Sequence, residues 1–523
     1  MQPSKDRNAK REDVQRVPAV IVHGHFYQPP RENPWTGVVD EEPEAAPFHD
    51  WNERIYAECY EPNANVSFVD QRTGDRRTVN NYEHLSFNFG PTLLTWLERI
   101  HPDTYSKILA ADTQSATRRG GHGNAIAQAY SHAILPLCNE RDQVTQVRWG
   151  LADFRYRFGR DAEAMWLPET ACNNDVLDLL IDEGLRYVIL APQQASRIRK
   201  SSQDEWRDVS SGNVDTGHSY QYHRRNDPAR SIAVFFYDQQ LAGAIAFERA
   251  LASSSELVKR FVRAIQGDGL VNVATDGETY GHHFKFGDLC LAHAFEEEIP
   301  AQGLSATNYG EYLDHHPPVA EVEIGHGAEG QGSSWSCIHG VGRWISDCGC
   351  HTGGEEGWNQ AWRGPLRDAL DFVRDEAAVF FEETRGKLFI EPWAARNEAI
   401  DLILGRSEAG SFFSRHAPRS LGNEDRERGL MFLEMQRNTI LMYASCGWFF
   451  NDISRIEPVQ VLKYAARAID IMGQLGLEFS RKRFLEILSE ARSNKTNLGN
   501  GADIYRRCVE TANPANQAAE ILI

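Results

Sequence analysis

Three apolar runs within the first 275 residues of the 523-residue sequence each end in a burst of polar side chains. AVIV leads into His23-Gly-His25-Phe-Tyr-Gln28, AMWL into Pro168-Glu169-Thr170, and VNVAT into Asp276-Gly-Glu278-Thr-Tyr280-Gly-His282-His283. In parallel α/β folds the C-terminal strand ends open onto one face, so side chains there converge from distant parts of the chain. Two acids entering one crevice beside Trp166 and Tyr280 suit glycoside cleavage: one carboxyl protonates the leaving oxygen, and the other attacks the anomeric carbon or activates water. Apolar neighbours raise the acid's pKa so that it keeps its proton near neutral pH. Taken singly, Glu169 also reads as a helix N-cap or first-turn residue, and Asp276 as the start of an Asp-Gly turn. The histidines read as metal ligands, as hydrogen-bond partners of sugar hydroxyls, or as side chains bonded only to backbone; spacing leaves all three open.

A second cluster lies in SSWSCIHGVGRWISDCGCH, which holds Cys337, His339, Cys348, Cys350 and His351. Its spacings match no usual zinc ribbon or finger. The expectation is buried thiols in a tight glycine-rich turn, with a metal knuckle or redox chemistry as alternatives. Trp335 and Trp344, with Trp358 and Trp362 close behind, offer stacking surfaces for sugar rings or fill an interdomain core.

The elements that must position these residues follow from apolar periodicity. Strands are expected at 17–22, 162–167, 187–190, 232–237 and 270–274, and helices at 91–100, 124–137, 175–183 and 256–266. Strands alternating with helices indicate βαβ units and a parallel sheet, open or closed into a barrel. Polar stretches at about 36–80 and 197–230 read as surface insertions. Beyond 299 the strand signal fades, and from 362 to about 492 the chain is mostly helical. The domain reading is a disordered leader over 1–16, an α/β domain over 17–300, and a Trp/Gly/His-rich segment with a helical domain over 301–523. Seventy-four acidic against 55 basic residues give a net charge of −19, a poor match for nucleic acid or an anionic membrane. Nine scattered cysteines, an odd number, suggest reduced thiols in the cytoplasm.

In order along the chain, the motifs resemble glycoside hydrolase family 57. His23-Gly-His25-Phe-Tyr-Gln28-Pro29 is similar to that family's first motif, and 123–137 to its second region, with His132 in the matching place. MWLPET resembles the third motif, whose Glu is the family nucleophile, and ATDGE the fourth, whose Asp is the general acid/base. FYDQQL resembles a further segment that contributes an Asp, here Asp238. The Cys-rich segment and WNQAWRGPLRDAL resemble one bacterial subgroup with a C-terminal domain of unknown function.

The resemblance implies an incomplete (β/α)7 barrel with a C-terminal helical domain, and a retaining mechanism without cofactor or metal. It implies α-linked oligo- or polysaccharides as substrate, Glu169 as nucleophile and Asp276 as acid/base. His23, His25, Gln28, His132, Trp166, Asp238, Glu278, His282 and His283 fall around the sugar, and Trp335, His339 and Trp344 join them as substrate contacts. Retention requires carboxyl groups about 5–5.5 Å apart, inversion about 6.5–9.5 Å. Two rival readings are a metal-dependent deacetylase using His23, His25, Asp276 and His282 or His283, and a non-catalytic glucan-binding protein.

Overall fold

The computed structural model describes residues 17–70, 73–267 and 269–515; the leader expected over 1–16 lies outside them. Seven of the strands with parallel pairings position the site: β1 (Ala19–Phe26), β2 (Ser86–Phe89), β3 (Ala127–Gln128), β4 (Met165–Trp166), β5 (Tyr187–Leu190), β6 (Asp227–Phe236) and β7 (Leu270–Asp276). All eight residues of β1 are buried, as expected for a parallel strand covered on both faces. β1 lies between β7 and β2, which puts His25 level with Asp276 on one side and Asn88 on the other. Single bridges Phe87–Ala125 and Ala164–Tyr187, with the β3–β4 and β5–β6 pairs, carry the parallel order onward. Between β6 and β7 the Asp238 amide donates to the Asn272 carbonyl at 2.8 Å. Among the described residues no sheet closes into a complete hydrogen-bonded ring, and the architecture is α/β.

The helices around these strands are capped where the sequence offers short polar side chains. Asn139 caps Glu140–Phe158, Asn173 caps Asn174–Asp182, and Ser253 caps Ser254–Ala264. Pro91–Ile100 is helical as expected.

The helix expected over 124–137 does not form. Nearly every residue there is buried, so the apolar spacing carries no amphipathic period; the segment contains β3, a left-handed turn at His132 and a short 3-10 turn at Leu135–Leu137. The two polar stretches are more ordered than expected. The first contains Trp51–Ile55 and a hairpin of Val66–Val69 with Arg76–Val79. The second adds Ala195–Arg199 and Ser219–Arg224 to a sheet with Glu321–Ile324. Their charged faces are matched across the strands by pairs such as Arg199–Glu321 at 2.6 Å, a pattern that hydropathy alone reads as loop.

Beyond residue 362 the chain is helical, with Arg363–Glu382, Asn423–Leu441, Ile456–Gln474 and Arg481–Ser489 as the longer elements. Their core is shared with the first half: Tyr130, Ile134, Trp149 and Ala171 pack in the same cluster as Leu366, Phe381, Phe432 and Leu462. Two polar contacts fix that union. The Trp149 indole donates to the Arg396 carbonyl at 3.0 Å, and the Arg396 guanidinium pairs with Asp142 at 2.8 Å, both side chains nearly inaccessible. Among the described residues no helix is long and apolar enough to cross a membrane. Replacing Arg396 with Ala strands Asp142 in this interface, a change that costs about 3–5 kcal/mol. The expected result is an earlier urea midpoint and faster proteolysis around 326–357; an unchanged midpoint would show that the contact is dispensable.

Candidate active site

The ends of β1, β4 and β7 open into one cavity of about 190 Å³, lined by His25, Tyr27, Gln28, His132, Glu169, Asp276, Glu278 and His283. Cys446, Phe449, Phe450 and Glu457 from the helical half complete its wall. Thus Glu169 and Asp276, 107 positions apart in the sequence, face the same space.

Glu169 follows β4 on a strained turn. Its φ is 58° and that of Thr170 is 49°, a left-handed pair that non-glycine residues adopt at a cost of about 1–3 kcal/mol each. Gln194, fully buried, clamps the turn: its amide donates to the Thr170 carbonyl at 2.8 Å, and its Oε1 accepts from the Thr170 hydroxyl at 2.8 Å. A second strap crosses from 335 and 336. The Trp335 amide donates to the Glu169 carbonyl at 3.0 Å, while its indole N–H and the Ser336 hydroxyl donate to Oε2 at 3.0 and 2.6 Å. Burial raises the Glu169 carboxyl above the ordinary range; the donors from Ser336 and Trp335 and the charge of Arg343 pull it back part of the way.

Asp276 ends β7, and Gly277 turns the chain beneath it. A Cβ at Gly277 would lie 2.3 Å from the Phe26 ring, so no larger residue fits. The Asp276 side chain opens on the cavity, but the surrounding walls and the nearby Glu169 charge raise its pKa to about 7. Glu278 lies deeper and accepts the Tyr27 amide at 3.1 Å and the Tyr60 hydroxyl at 2.6 Å, both on Oε1. Its burial, opposed by the Tyr60 bond and reinforced by Asp276, brings it to about 8.

Beneath the carboxyls runs a neutral histidine network. Asn88 fixes its tautomers: its amide donates to His25 Nδ1 at 2.9 Å, and its Oδ1 accepts from His23 Nε2 at 3.1 Å. His25 Nε2 must then donate to His132 Nε2 at 3.0 Å, and His132 Nδ1 to the Ser445 hydroxyl at 2.7 Å. Burial lowers His23 and His132 to about 3 and His25 well below its ordinary value.

Residues 17–325 match the family model "Glycosyl hydrolase family 57". The chain belongs to glycosyl hydrolase family 57. Residues 358–519 match a domain of unknown function (DUF3536). A 4-alpha-glucanotransferase of Thermococcus litoralis is 24% identical over 260 residues, covering 48% of this chain and 36% of that protein. An alpha-amylase of Pyrococcus horikoshii is 23% identical over 293 residues, 53% of this chain and 42% of the relative. The chain spans about two-fifths of the length of these relatives. Among solved structures, an exo-type maltose-forming amylase from Pyrococcus sp. ST04 superposes with a TM-score of 0.62 at 15% identity, over 97% of this chain and 94% of that one. A GH57-type branching enzyme from Pyrococcus horikoshii gives 0.52 at 14% identity, over 95% and 97%. At these identities the likeness speaks to fold.

Within this family 57 chain the remaining candidates divide. His23 and Trp166 lie under the cavity floor, stacked at 4.9 Å. Gln28 lines the cavity and accepts from Arg31 at 3.0 Å. Asp238 caps the helix Gln239–Phe247 and is not among the lining residues. His282 turns away to pair with Glu58 and leaves His283 at the cavity. Trp335 stands edge-on to Trp166 at 5.2 Å. Trp344 cannot stack on a sugar: it is fully buried, with its indole on the Ser445 carbonyl at 3.2 Å. His339 belongs to the cysteine cluster, with Nδ1 3.5 Å from Cys350 Sγ. The ligand set of the deacetylase reading, His23, His25, Asp276 and His282 or His283, does not converge; among the described residues only Cys337, His339, Cys348 and Cys350 bring at least three metal-binding atoms together.

Sequence reasoning missed Ser336, Asn88, Gln194, Tyr60 and the wall from 446 to 457. Ser336 adjoins a tryptophan that it did select; the others carry no motif. Since the folded state raises Asp276, the stability from its bound proton is present below about pH 4 and is lost as pH rises through about 7. Asp276→Asn removes this dependence, so its melting temperature relative to wild type should rise between pH 4 and 8. A difference flat with pH would show that Asp276 has an ordinary pKa.

Proposed function

We propose that the chain is a retaining enzyme of α-linked glucans, with Glu169 as nucleophile and Asp276 as general acid/base. The observation that carries this reading is the asymmetry of the two carboxyls in one cavity. Donors from Trp335 and Ser336 favour the charged form of Glu169, while Asp276 is raised to about 7 and is still protonated in about half of the molecules at neutral pH. In the first step Asp276 protonates the departing glycosidic oxygen as a Glu169 oxygen bonds to the anomeric carbon. In the second, Asp276 takes a proton from water or a sugar hydroxyl, which displaces Glu169.

Gln28, His25, His132, Glu278 and His283 line the sugar subsite, with Trp335 at its edge. His23 and Trp166 support it from below. The relatives' named activities, 4-alpha-glucanotransferase and alpha-amylase, support α-glucan as the substrate class. The parallel order from β7 through β1 to β6 supports an incomplete (β/α)7 barrel as the scaffold, with the helical half beside it. Nine unpaired cysteines fit a reducing, cytoplasmic setting.

Incubation with maltooligosaccharides and glycogen, with product mapping and anomer assignment by NMR, separates hydrolysis, disproportionation and branching. Glu169→Gln and Asp276→Asn should each fold normally and lose at least about 10²–10⁴-fold in turnover. Because Asp276 must be protonated to start the reaction, kcat/KM should fall on a basic limb near pH 7. Undiminished turnover by Glu169→Gln, or an inverted product anomer, overturns the mechanism.

A further inference from the structure

The cysteine-rich segment folds into a site that the proposed chemistry does not use. Cys337 Sγ lies 3.9 Å from Cys348 Sγ and 3.8 Å from Cys350 Sγ, and Cys350 Sγ lies 3.5 Å from His339 Nδ1. All four ligand atoms fall within 4.8 Å of one another. A tetrahedral zinc with Zn–S bonds of about 2.3 Å and Zn–N of about 2.0–2.1 Å separates its sulfurs by roughly 3.8 Å, and sulfur from nitrogen by roughly 3.6 Å. We propose that Cys337, His339, Cys348 and Cys350 bind one structural Zn²⁺, a closed Cys₃His site.

Chain geometry and local charge both support this site. Gly349 has a φ of 83°, which reverses the chain between Cys348 and Cys350 and lets both thiols face one point. The backbone amides of Arg343 and His339 hydrogen-bond Cys337. Arg343 and Arg363 are buried, and among the described residues neither forms an ion pair with a carboxylate. Arg363 instead donates to the Cys350 carbonyl at 2.8 Å and Arg343 to the Phe449 carbonyl at 3.1 Å. Zinc binding releases three thiol protons and leaves the site with one net negative charge, which adds to the charges of Glu169 near Arg343 and Asp347 near Arg363. The alternatives account for less: a disulfide engages two of the three thiols and gives His339 no role. The expected reading of inert buried thiols leaves the convergence of all four groups unexplained.

The site also positions the cavity. Cys337 directly follows Trp335 and Ser336, the donors to Glu169 Oε2. The metal therefore anchors the strap that holds the Glu169 carboxylate; this consequence rests on the proposed role of Glu169, whereas the metal site itself does not.

The test is elemental analysis of untagged full-length chain, expressed with zinc in the medium and purified without chelator, expected to give one zinc per chain. Cobalt substitution should produce visible tetrahedral d–d bands and a thiolate charge-transfer band. The double variant Cys348→Ser, Cys350→Ser should lose the metal, while His339→Cys should retain it. Folded wild-type chain with less than roughly 0.1 equivalent of metal overturns the proposal, as does a disulfide between two of these cysteines by mass spectrometry. If zinc is present but its removal leaves Glu169-dependent turnover intact, the metal site stands and the strap role falls. If zinc is present and the intact chain turns over no glucan, the enzymatic reading fails instead.

Discussion

Two carboxyl groups that face one cavity cannot both ionise cheaply near neutral pH, because each charge raises the cost of the other. Around Glu169 and Asp276 the surroundings differ. Hydrogen-bond donors converge on Glu169 from a loop more than 160 positions downstream, while Asp276 sits at a strand end where burial and its neighbour's charge hold the proton on. A third acid, Glu278, takes the Tyr27 and Tyr60 donors on one oxygen and is raised by burial as well. The local backbone serves the same end. The left-handed turn at Glu169 and Thr170 is unfavourable by itself, and the buried Gln194 amide and the 335–336 strap are what hold it.

The histidines beneath the acids restrict the chemistry further. With Asn88 donating to His25 and accepting from His23, each imidazole proton has one assigned partner, ending at the Ser445 hydroxyl. Rings buried in this way stay neutral near pH 7, whereas the carboxyls beside them are raised. Stacking of His25 and His23 on Trp166 at 4.9 Å makes this layer a rigid floor.

Much of this was legible in the sequence because strand ends carry their chemistry with them. The runs before His23, Glu169 and Asp276 are apolar on both faces, as buried parallel strands must be, and their polar tails point at one another once the strands align. The 124–137 segment misled because full burial erases the helical period. Asp238 was chosen by motif, but a side chain at a helix start caps the backbone before it reaches a cavity. Trp344 was chosen by residue type, and an aromatic ring says nothing of which side of a core it faces. Gln194 and Ser445 gave no signal: a lone Gln or Ser acquires meaning only from a partner that folding brings to it. The four-ligand cluster was visible as residues, but its spacing fits no common pattern, and its geometry came only from the turns at Gly340 and Gly349.

His132 touches Ser445 twice, through its ring and through its carbonyl, which accepts the Ser445 amide at 3.0 Å across 313 positions of sequence. The two halves of the chain are therefore not interchangeable parts. An α/β half grafted onto a different helical partner would keep its carboxyls but lose the acceptor at the end of the imidazole chain and the wall formed by 446–457. In evolutionary terms, substitutions around His132 and around Ser445 should be inherited together, so the helical region, though it bears neither acid, is under selection from the same cavity.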